Sequence, residues 1–128
     1  MSAPRYSRLL TSVFIALVIS VSLATIAGSA TATPSSSMAT ERRGHTATRL
    51  QDGRVLIAGG ENSTGVLNGA ELFDPASGTF SAAGNLGAVR ADHSATLLAD
   101  GRVLIAGGRN GAGSLATTEI FDPATGSF

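Results

Sequence analysis

The chain has 128 residues, of which nine are basic and nine acidic, so its formal net charge at pH 7 is zero. This balance provides no basic surface for nucleic acid, and we expect no nucleic-acid partner. Cysteine is absent, which excludes disulfides, thiolate nucleophiles and thiolate metal ligands.

The first predicted element is an N-terminal leader at residues 1–32. Two arginines within the first eight residues precede an apolar stretch at 9–28, and the run ATA at 30–32 fits the A-x-A pattern of signal-peptide cleavage. We predict a hydrophobic helix that acts as a signal peptide, is cleaved after Ala32 or Ala30, and makes this an exported protein. An uncleaved anchor is the alternative, since about 20 residues can span a bilayer. In that case the leader is the expected membrane contact.

The rest of the chain consists of two copies of one repeat, which follow a predicted polar join at 33–40. A shift of 48 residues places 41–80 on 89–128 without a gap, and 24 of the 40 aligned positions are identical. We name the two units blade 1 (41–88) and blade 2 (89–128). Self-similarity at a fixed period is typical of repeat architectures, in which each unit buries its faces against its neighbours.

Each copy divides into four strand-like runs separated by turn signals. The first run, HTATRL at 45–50, meets RVLIAGG across Asp-Gly at 52–53, which predicts a two-residue type I′ hairpin turn. Both alternating sets of RVLIAGG are apolar, so we expect this strand to be buried on both faces. The third run, at 69–74, turns through Asp-Pro-Ala-Ser-Gly into a fourth that starts at Phe80. Blade 2 repeats this pattern and reaches the equivalent position at Phe128.

Four antiparallel strands per copy, apolar on both faces, indicate an all-β fold built from β-propeller blades. The motifs also resemble the kelch repeat: a Gly/Asp-His start, DGRVLIAGG with its diglycine, and a close of the form E-[LI]-F-D-P-A-[ST]-G-[ST]-F. They are similar to the bacterial exported and galactose-oxidase-like forms of this repeat. The resemblance implies two four-stranded antiparallel blades, the second truncated. Propellers close with about four to eight blades, which favours either a longer gene product or self-association through open blade faces.

The sequence contains no reactive constellation, and we predict that the chain is not an enzyme. We expect no cofactor and no catalytic, cofactor-binding or metal-ligating residues. His45 and His93 repeat in register, and residues that repeat are more economically explained as scaffold, because one active site needs no duplicate. Metal sites need three or four convergent ligands, more than one imidazole per blade. We interpret the other repeated charges as structural ion pairs or turn caps: Arg42 and Arg90, Glu71 and Glu119, and Asp74 and Asp122.

The copies differ mainly at one predicted end of the blades. In a four-strand meander, the second-to-third loop and the connection between blades share an end. There, 61–70 differs from 109–118, and Arg43-Gly44 differs from Ala91-Asp92. Because connecting loops commonly carry function, we predict that this diverged end is the ligand face. Its candidate ligand-binding residues are Arg43, Glu61, Asn62, Ser63, Thr64, Asp92, Arg109 and Asn110.

We expect the chain to be an exported kelch-propeller fragment that serves as a protein- or carbohydrate-interaction module. The alternative is the N-terminal part of a kelch-propeller enzyme, oxidase-like or sugar-isomerising, whose active site lies in blades not present in this sequence. The copper-radical site of such oxidases uses Cys and Tyr ligands. The chain has no Cys, and its single Tyr lies in the leader, so no residue of that site can be carried over.

We predict that N-terminal sequencing of the exported protein will begin at Thr33 or Thr31, because cleavage follows the small residues after the apolar stretch. An intact Met1 on a membrane-bound form would contradict this prediction.

Overall fold

The computed structural model describes residues 35–128, and these residues form antiparallel β-strands and turns without a helix. The all-β expectation is confirmed for this part of the chain. The predicted leader at 1–32 and the first two residues of the predicted join lie outside the described residues. Between residues 35 and 128 there is no helix with the length and apolarity needed to cross a membrane.

Blade 1 contains the predicted four-stranded meander and one additional hairpin. The main sheet has the order β1-β2-β5-β6, with every neighbouring pair antiparallel. The β3–β4 hairpin is a separate two-stranded sheet in the second-to-third loop, where no strand is expected from the sequence. The six strands are β1 (Thr46–Arg49), β2 (Val55–Ala58), β3 (Glu61–Asn62), β4 (Gly65–Val66), β5 (Gly69–Asp74) and β6 (Thr79–Asn85).

Blade 2 repeats the first three strands of that meander. The sheet has the order β7-β8-β9 and is antiparallel throughout. A single bridge between Asp122 and Ser127 lies at the repeat position where β6 begins in blade 1. The three strands are β7 (Ser94–Leu97), β8 (Val103–Ala106) and β9 (Thr118–Phe121).

The turn between β1 and β2 differs from the prediction. The Leu50 carbonyl accepts a hydrogen bond from the Gly53 N–H at 3.1 Å, and the Leu50 N–H donates to the Arg54 carbonyl at 2.7 Å. The loop therefore has three residues, and only its last, Gly53, has a positive φ, of 91°. The type I′ prediction is wrong, because that turn needs a positive φ at Asp52 as well. Gly101, with a φ of 88°, occupies the same position in blade 2.

The Asp-Pro-Ala-Ser-Gly turn between β5 and β6 forms as predicted. The Asp74 carboxylate accepts the Ala76 N–H at 2.8 Å, and the Asp74 carbonyl accepts the Gly78 N–H at 2.8 Å. Gly78 takes the left-handed position, with a φ of 69°. The turn brings Phe73 and Phe80 together at 4.9 Å between ring centroids. Asp74 is therefore a turn cap, and Asp122 caps the equivalent turn of blade 2.

The hydrophobic core lies between the two sheets. Apolar side chains from one face of the blade 1 sheet and the opposite face of the blade 2 sheet form one buried cluster, with each exposed by 7% or less. It includes Leu56, Ala58 and Leu72 of blade 1 and Val103, Ile105 and Phe121 of blade 2.

The two copies of the second strand are buried to different degrees. In β2, Leu56 and Ala58 on one face are 0% exposed, whereas on the other face Ile57 is 7% exposed and Val55 is only half-buried, so the predicted burial of both faces is confirmed at Ile57 but not at Val55. In β8, Val103 and Ile105 are buried, but Leu104 is only half-buried. The prediction of two buried faces is therefore wrong for β8, because no further sheet within residues 35–128 covers its second face.

A buried arginine in blade 2 connects the end of β8 to the start of β9. The Arg90 side chain is fully buried, and its Nη2 lies 2.7 Å from Glu119 Oε1. Its Nη1 donates to the carbonyls of Gly107 and Thr117, at 2.9 and 3.2 Å. Because a buried charge is costly unless it is paired and hydrogen-bonded, this arrangement fixes the end of β8 against the start of β9.

The carboxylate of the same pair holds the chain that enters the blade. Glu119 accepts hydrogen bonds from the N–H groups of Gly87 and Ala88, at 2.6 and 3.2 Å. Burial raises the pKa of Glu119, but these bonds and the Arg90 guanidinium outweigh it and hold the pKa below its ordinary value. Arg42 and Glu71 form the same contact in blade 1, at 2.8 Å. The repeated charges are structural ion pairs, as predicted.

We predict that Arg90→Met will lower the free energy of unfolding by about 3–5 kcal/mol, because it leaves the largely buried Glu119 carboxylate without its cation. Urea denaturation measures the change. Arg102→Met is the matched control, since Arg102 pairs with Asp100 in solvent, where each side chain is about half exposed. Equal effects of the two substitutions would contradict the scaffold role of Arg90.

Candidate ligand-binding end

The diverged end is built where the chain entering each blade pairs with the loop after the second strand. In blade 1, Arg43 and Glu61 exchange two backbone hydrogen bonds of 2.9 and 2.8 Å. Ala91 and Arg109 form the equivalent bridge in blade 2, with both bonds at 2.9 Å. These bridges place the backbones of three candidate residues at the same end of the blades.

The diglycine permits this close approach of the two segments. A Cβ at Gly60 would lie 2.7 Å from the carbonyl oxygen of Arg43, and a Cβ at Gly108 would lie 2.5 Å from that of Ala91. Both glycines also have positive φ values, of 96° and 86°. A side chain at either position would therefore push the entering segment away.

Four of the candidate residues form one charged network that crosses from blade 1 to blade 2. Glu61 Oε1 accepts from Arg43 Nε at 3.1 Å and from Arg109 Nη2 at 2.8 Å. Arg109 Nε also lies 2.8 Å from Asp92 Oδ2. The side chains therefore alternate in charge along a line: Arg43, Glu61, Arg109, Asp92.

The network shifts the titration of its central members. The hydrogen bond from Arg109 is the largest influence on the pKa of Glu61 and lowers it. Burial raises this pKa by less than Arg109 lowers it, and the hydrogen bond from Arg43 lowers it further. Contacts with Glu61 and then Asp92 raise the pKa of Arg109 above its ordinary value. Both shifts favour the charged forms of Glu61 and Arg109, the two side chains at the centre of the network.

A cavity of about 330 Å³ lies beside the network. It brings together four of the predicted candidates, namely Arg43, Glu61, Asn62 and Ser63. Two further residues, Glu41 and Arg42, complete the described lining and were not among the candidates. Glu41 could have been found from the sequence, because blade 2 has Val89 at this repeat position. Arg42 could not, because it repeats as a scaffold residue.

The remaining candidates shape their own loops. Asn62 Oδ1 accepts the Thr64 N–H at 2.8 Å and the Thr64 hydroxyl at 2.6 Å. Asn110 Oδ1 accepts the N–H groups of Ala112 and Gly113, at 3.0 and 3.1 Å. These bonds occupy the amide oxygens in turn formation. Thr64 and Asn110 lie outside the described cavity lining, and whether any of the eight candidates binds a ligand remains a prediction.

Comparison with known families decides the class of repeat. Residues 90–128 match the family model described as the Kelch motif. These residues are a kelch repeat. The match covers almost all of blade 2, and blade 1 shares 24 of the 40 aligned positions with it. A search of curated proteins finds no matching sequence. Kelch repeats generally mediate protein interactions.

One residue of the second kelch repeat has an uncommon backbone conformation. Asp92 has a φ of 54° and is the one non-glycine residue between 35 and 128 with a positive φ. The equivalent residue, Gly44, has a φ of 62°. Aspartate is among the few side chains that tolerate this region. The conformation places the Asp92 carboxylate beside both Gly44 and Arg109.

The repeated histidine of the kelch motif is a structural residue in blade 2. His93 is 7% exposed, and its Nε2 shares a 2.8 Å hydrogen bond with Thr46 Oγ1 of blade 1. Burial is the main cause of a lowered His93 pKa, and the Arg90 charge lowers it further. The ring is therefore neutral at pH 7 and links the two blades. In residues 35–128, no three His, Cys, Asp or Glu side chains are grouped so that they could hold a metal ion.

We predict that the Glu61 carboxyl will titrate below its ordinary pKa, and that Arg109→Gln will raise this pKa by removing the shortest charged contact. NMR titration of the Glu61 side-chain carbonyl measures both values. Arg102→Gln is the control, because Arg102 contacts Asp100 instead and should leave Glu61 unchanged. A Glu61 pKa that is the same with and without Arg109 would contradict the network.

Proposed function

We propose that this chain is an exported, non-catalytic interaction module that binds a protein ligand through its diverged end. The observation that carries the proposal is the charged network of Arg43, Glu61, Arg109 and Asp92 beside the cavity. It lies at the end where the two copies differ, whereas the Arg–Glu pairs and turn caps that the copies share are occupied by the scaffold. Divergence in loops on an otherwise repeated scaffold is the pattern by which such scaffolds acquire specificity.

The most exposed member of the network suggests the chemistry of the ligand. The Arg43 side chain is 80% exposed, and only its Nε contacts Glu61. Its two terminal nitrogens form no hydrogen bond with residues 35–128, and Arg43 is one of the residues that line the cavity. A guanidinium with a free fork binds a carboxylate through two parallel hydrogen bonds. We therefore propose that Arg43 receives an acidic side chain of the protein ligand.

Export is part of the proposal because of the leader. The positive start, the apolar stretch and the small residues at 30–32 are the features that direct a chain out of the cytoplasm. A ligand would then be met outside the cytoplasm.

We predict that the purified protein will select peptides rich in Asp and Glu from an immobilised library of short random peptides. Arg43→Gln should weaken binding of the selected peptides about 10-fold to 100-fold, as expected for the loss of hydrogen bonds to a charged group. Arg102→Gln is the control, since it removes an exposed arginine from the opposite end of the blade. Equal binding by the Arg43 and Arg102 variants would contradict the assignment.

A loop exchange separates binding from folding in the same assay. Replacing 62–66 with the sequence of 110–114 changes the loop beside the cavity and leaves both Glu61 of the charged network and the buried Ala70 in place. We expect a different set of selected peptides and a similar thermal unfolding midpoint. An unchanged peptide set would place the ligand site elsewhere.

A further inference from the structure

The joint between the two blades shows how one kelch sheet covers the next. We call the face of blade 1 that bears Leu56, Ala58 and Leu72 its tail face, and the face of blade 2 that bears Val103, Ile105 and Phe121 its head face. These side chains form the core, and the three from the head face are 0% exposed. A tail face is therefore a surface that another blade's head face can bury.

The tail face of blade 2 is not covered by any of the residues from 35 to 128. It bears Leu104, Ala106 and Ile120, which stand at the repeat positions of Leu56, Ala58 and Leu72. Leu104 and Ala106 are only half-buried, and Ile120 is 38% exposed. Within residues 35–128, this apolar face has no counterpart.

The head face of blade 1 carries the side chains that would complete it. Four apolar residues of this face are identical to the four that serve the existing joint: Val55, Ile57, Phe73 and Phe80 repeat Val103, Ile105, Phe121 and Phe128. Val55 and Phe73 are only half-buried, whereas their equivalents in blade 2 are 0% exposed. Blade 1 therefore presents an incompletely covered head face to any partner with a tail face.

The polar contacts across the joint remain complementary when the two positions are exchanged. In the existing joint, Glu61 of blade 1 pairs with Arg109 of blade 2. These residues occupy the same repeat position, so a tail face of blade 2 would place Arg109 opposite the Glu61 of a second copy. The tail face would then supply the positive charge and the head face the negative one, the reverse of the existing joint, so an ion pair still forms. The N–H of Gly108 makes no backbone hydrogen bond within 35–128, whereas the equivalent Gly60 N–H donates across the joint.

Side-chain volume is also preserved by the exchange. In the existing joint, the Asp92 carboxylate lies where a Gly44 side chain would be, at 2.7 Å from its Cβ position. In the exchanged joint, the residue opposite Asp92 would be the Gly44 of a second copy, which adds no side chain that could clash with Asp92. Ser94 likewise replaces Thr46 as the hydroxyl that faces a histidine.

We propose that the tail face of blade 2 binds the head face of blade 1 in a second copy of this chain. The contact is head-to-tail, so repeated addition closes a ring when the rotation per chain divides a full turn. Rings of about four to eight blades, with two per chain, need roughly two to four copies. Among the strand residues of the head face, Arg49 is the one that differs from its equivalent in blade 2, which is Leu97. The aliphatic stem of Arg49 can lie on the apolar face while its guanidinium reaches water.

Light scattering on the purified full chain tests the proposal, with residues 1–34 the same in every variant. The wild type should have the mass of a closed oligomer. Ile120→Asp disables the tail face, and Ala47→Asp disables the head face, where Ala47 pairs with Ile57. Both side chains are exposed, so the fold should persist. Each variant alone should have the mass of one chain, and an equal mixture, which retains one intact contact, should double it.

The controls separate this contact from other association. Ala112→Asp, on an exposed loop, should keep the wild-type mass. Thr118→Lys is a second tail-face variant that should repeat the effect of Ile120→Asp. A monomeric wild type, an oligomer that both face variants leave intact, or a mixture that stays monomeric would each overturn the proposal. An oligomer that only one of the two face variants dissociates would indicate a contact between two like faces, and would overturn the proposal as well.

Discussion

The guanidinium of Arg90 is removed from water, and a buried cation must be paired by the protein that surrounds it. It meets this requirement through Glu119 and two carbonyls at the inner ends of neighbouring strands, and Glu119 in turn binds the backbone of the entering segment. One ion pair therefore fixes three pieces of chain. Blade 1 repeats the arrangement with Arg42 and Glu71, and the cavity and charged network are built directly beside this anchor.

The sequence predicts the features that depend on local pattern. Apolar alternation, the Asp-Pro-Ala turn and the repeated charges act within one blade and occur twice, so the strands, turn caps and ion pairs could be anticipated. The hairpin turn could not, because Asp-Gly is compatible with both a two-residue and a three-residue loop, and only the hydrogen bonds of Leu50 in the structure show which of the two forms. The β3–β4 hairpin also escapes, because its strands have two residues each and show no periodicity.

The sequence predicts which residues form the charged network, but not that they contact one another. Divergence between the copies identified its four members, but their contact depends on how one blade stacks on the next. Glu61 and Arg109 occupy one repeat position with opposite charges, and neighbouring loops in a stacked array lie side by side. Opposite charges at equivalent positions are thus a signal for pairing between repeats. Since the same carboxylate contacts Arg43, ligand binding at Arg43 and contacts between blades would be linked in free energy.

The contact between Asp92 and Gly44 means that the two blades cannot be interchanged. A side chain at residue 44 would meet the Asp92 carboxylate at 2.7 Å, so an aspartate in one blade requires a glycine in the blade before it. Copying the sequence of blade 2 over blade 1 would put aspartate in both places and force the blades apart. Duplicated repeats are exposed to such exchange because they are so similar. An exchange that made residues 44 and 92 both aspartate would therefore destabilise the fold.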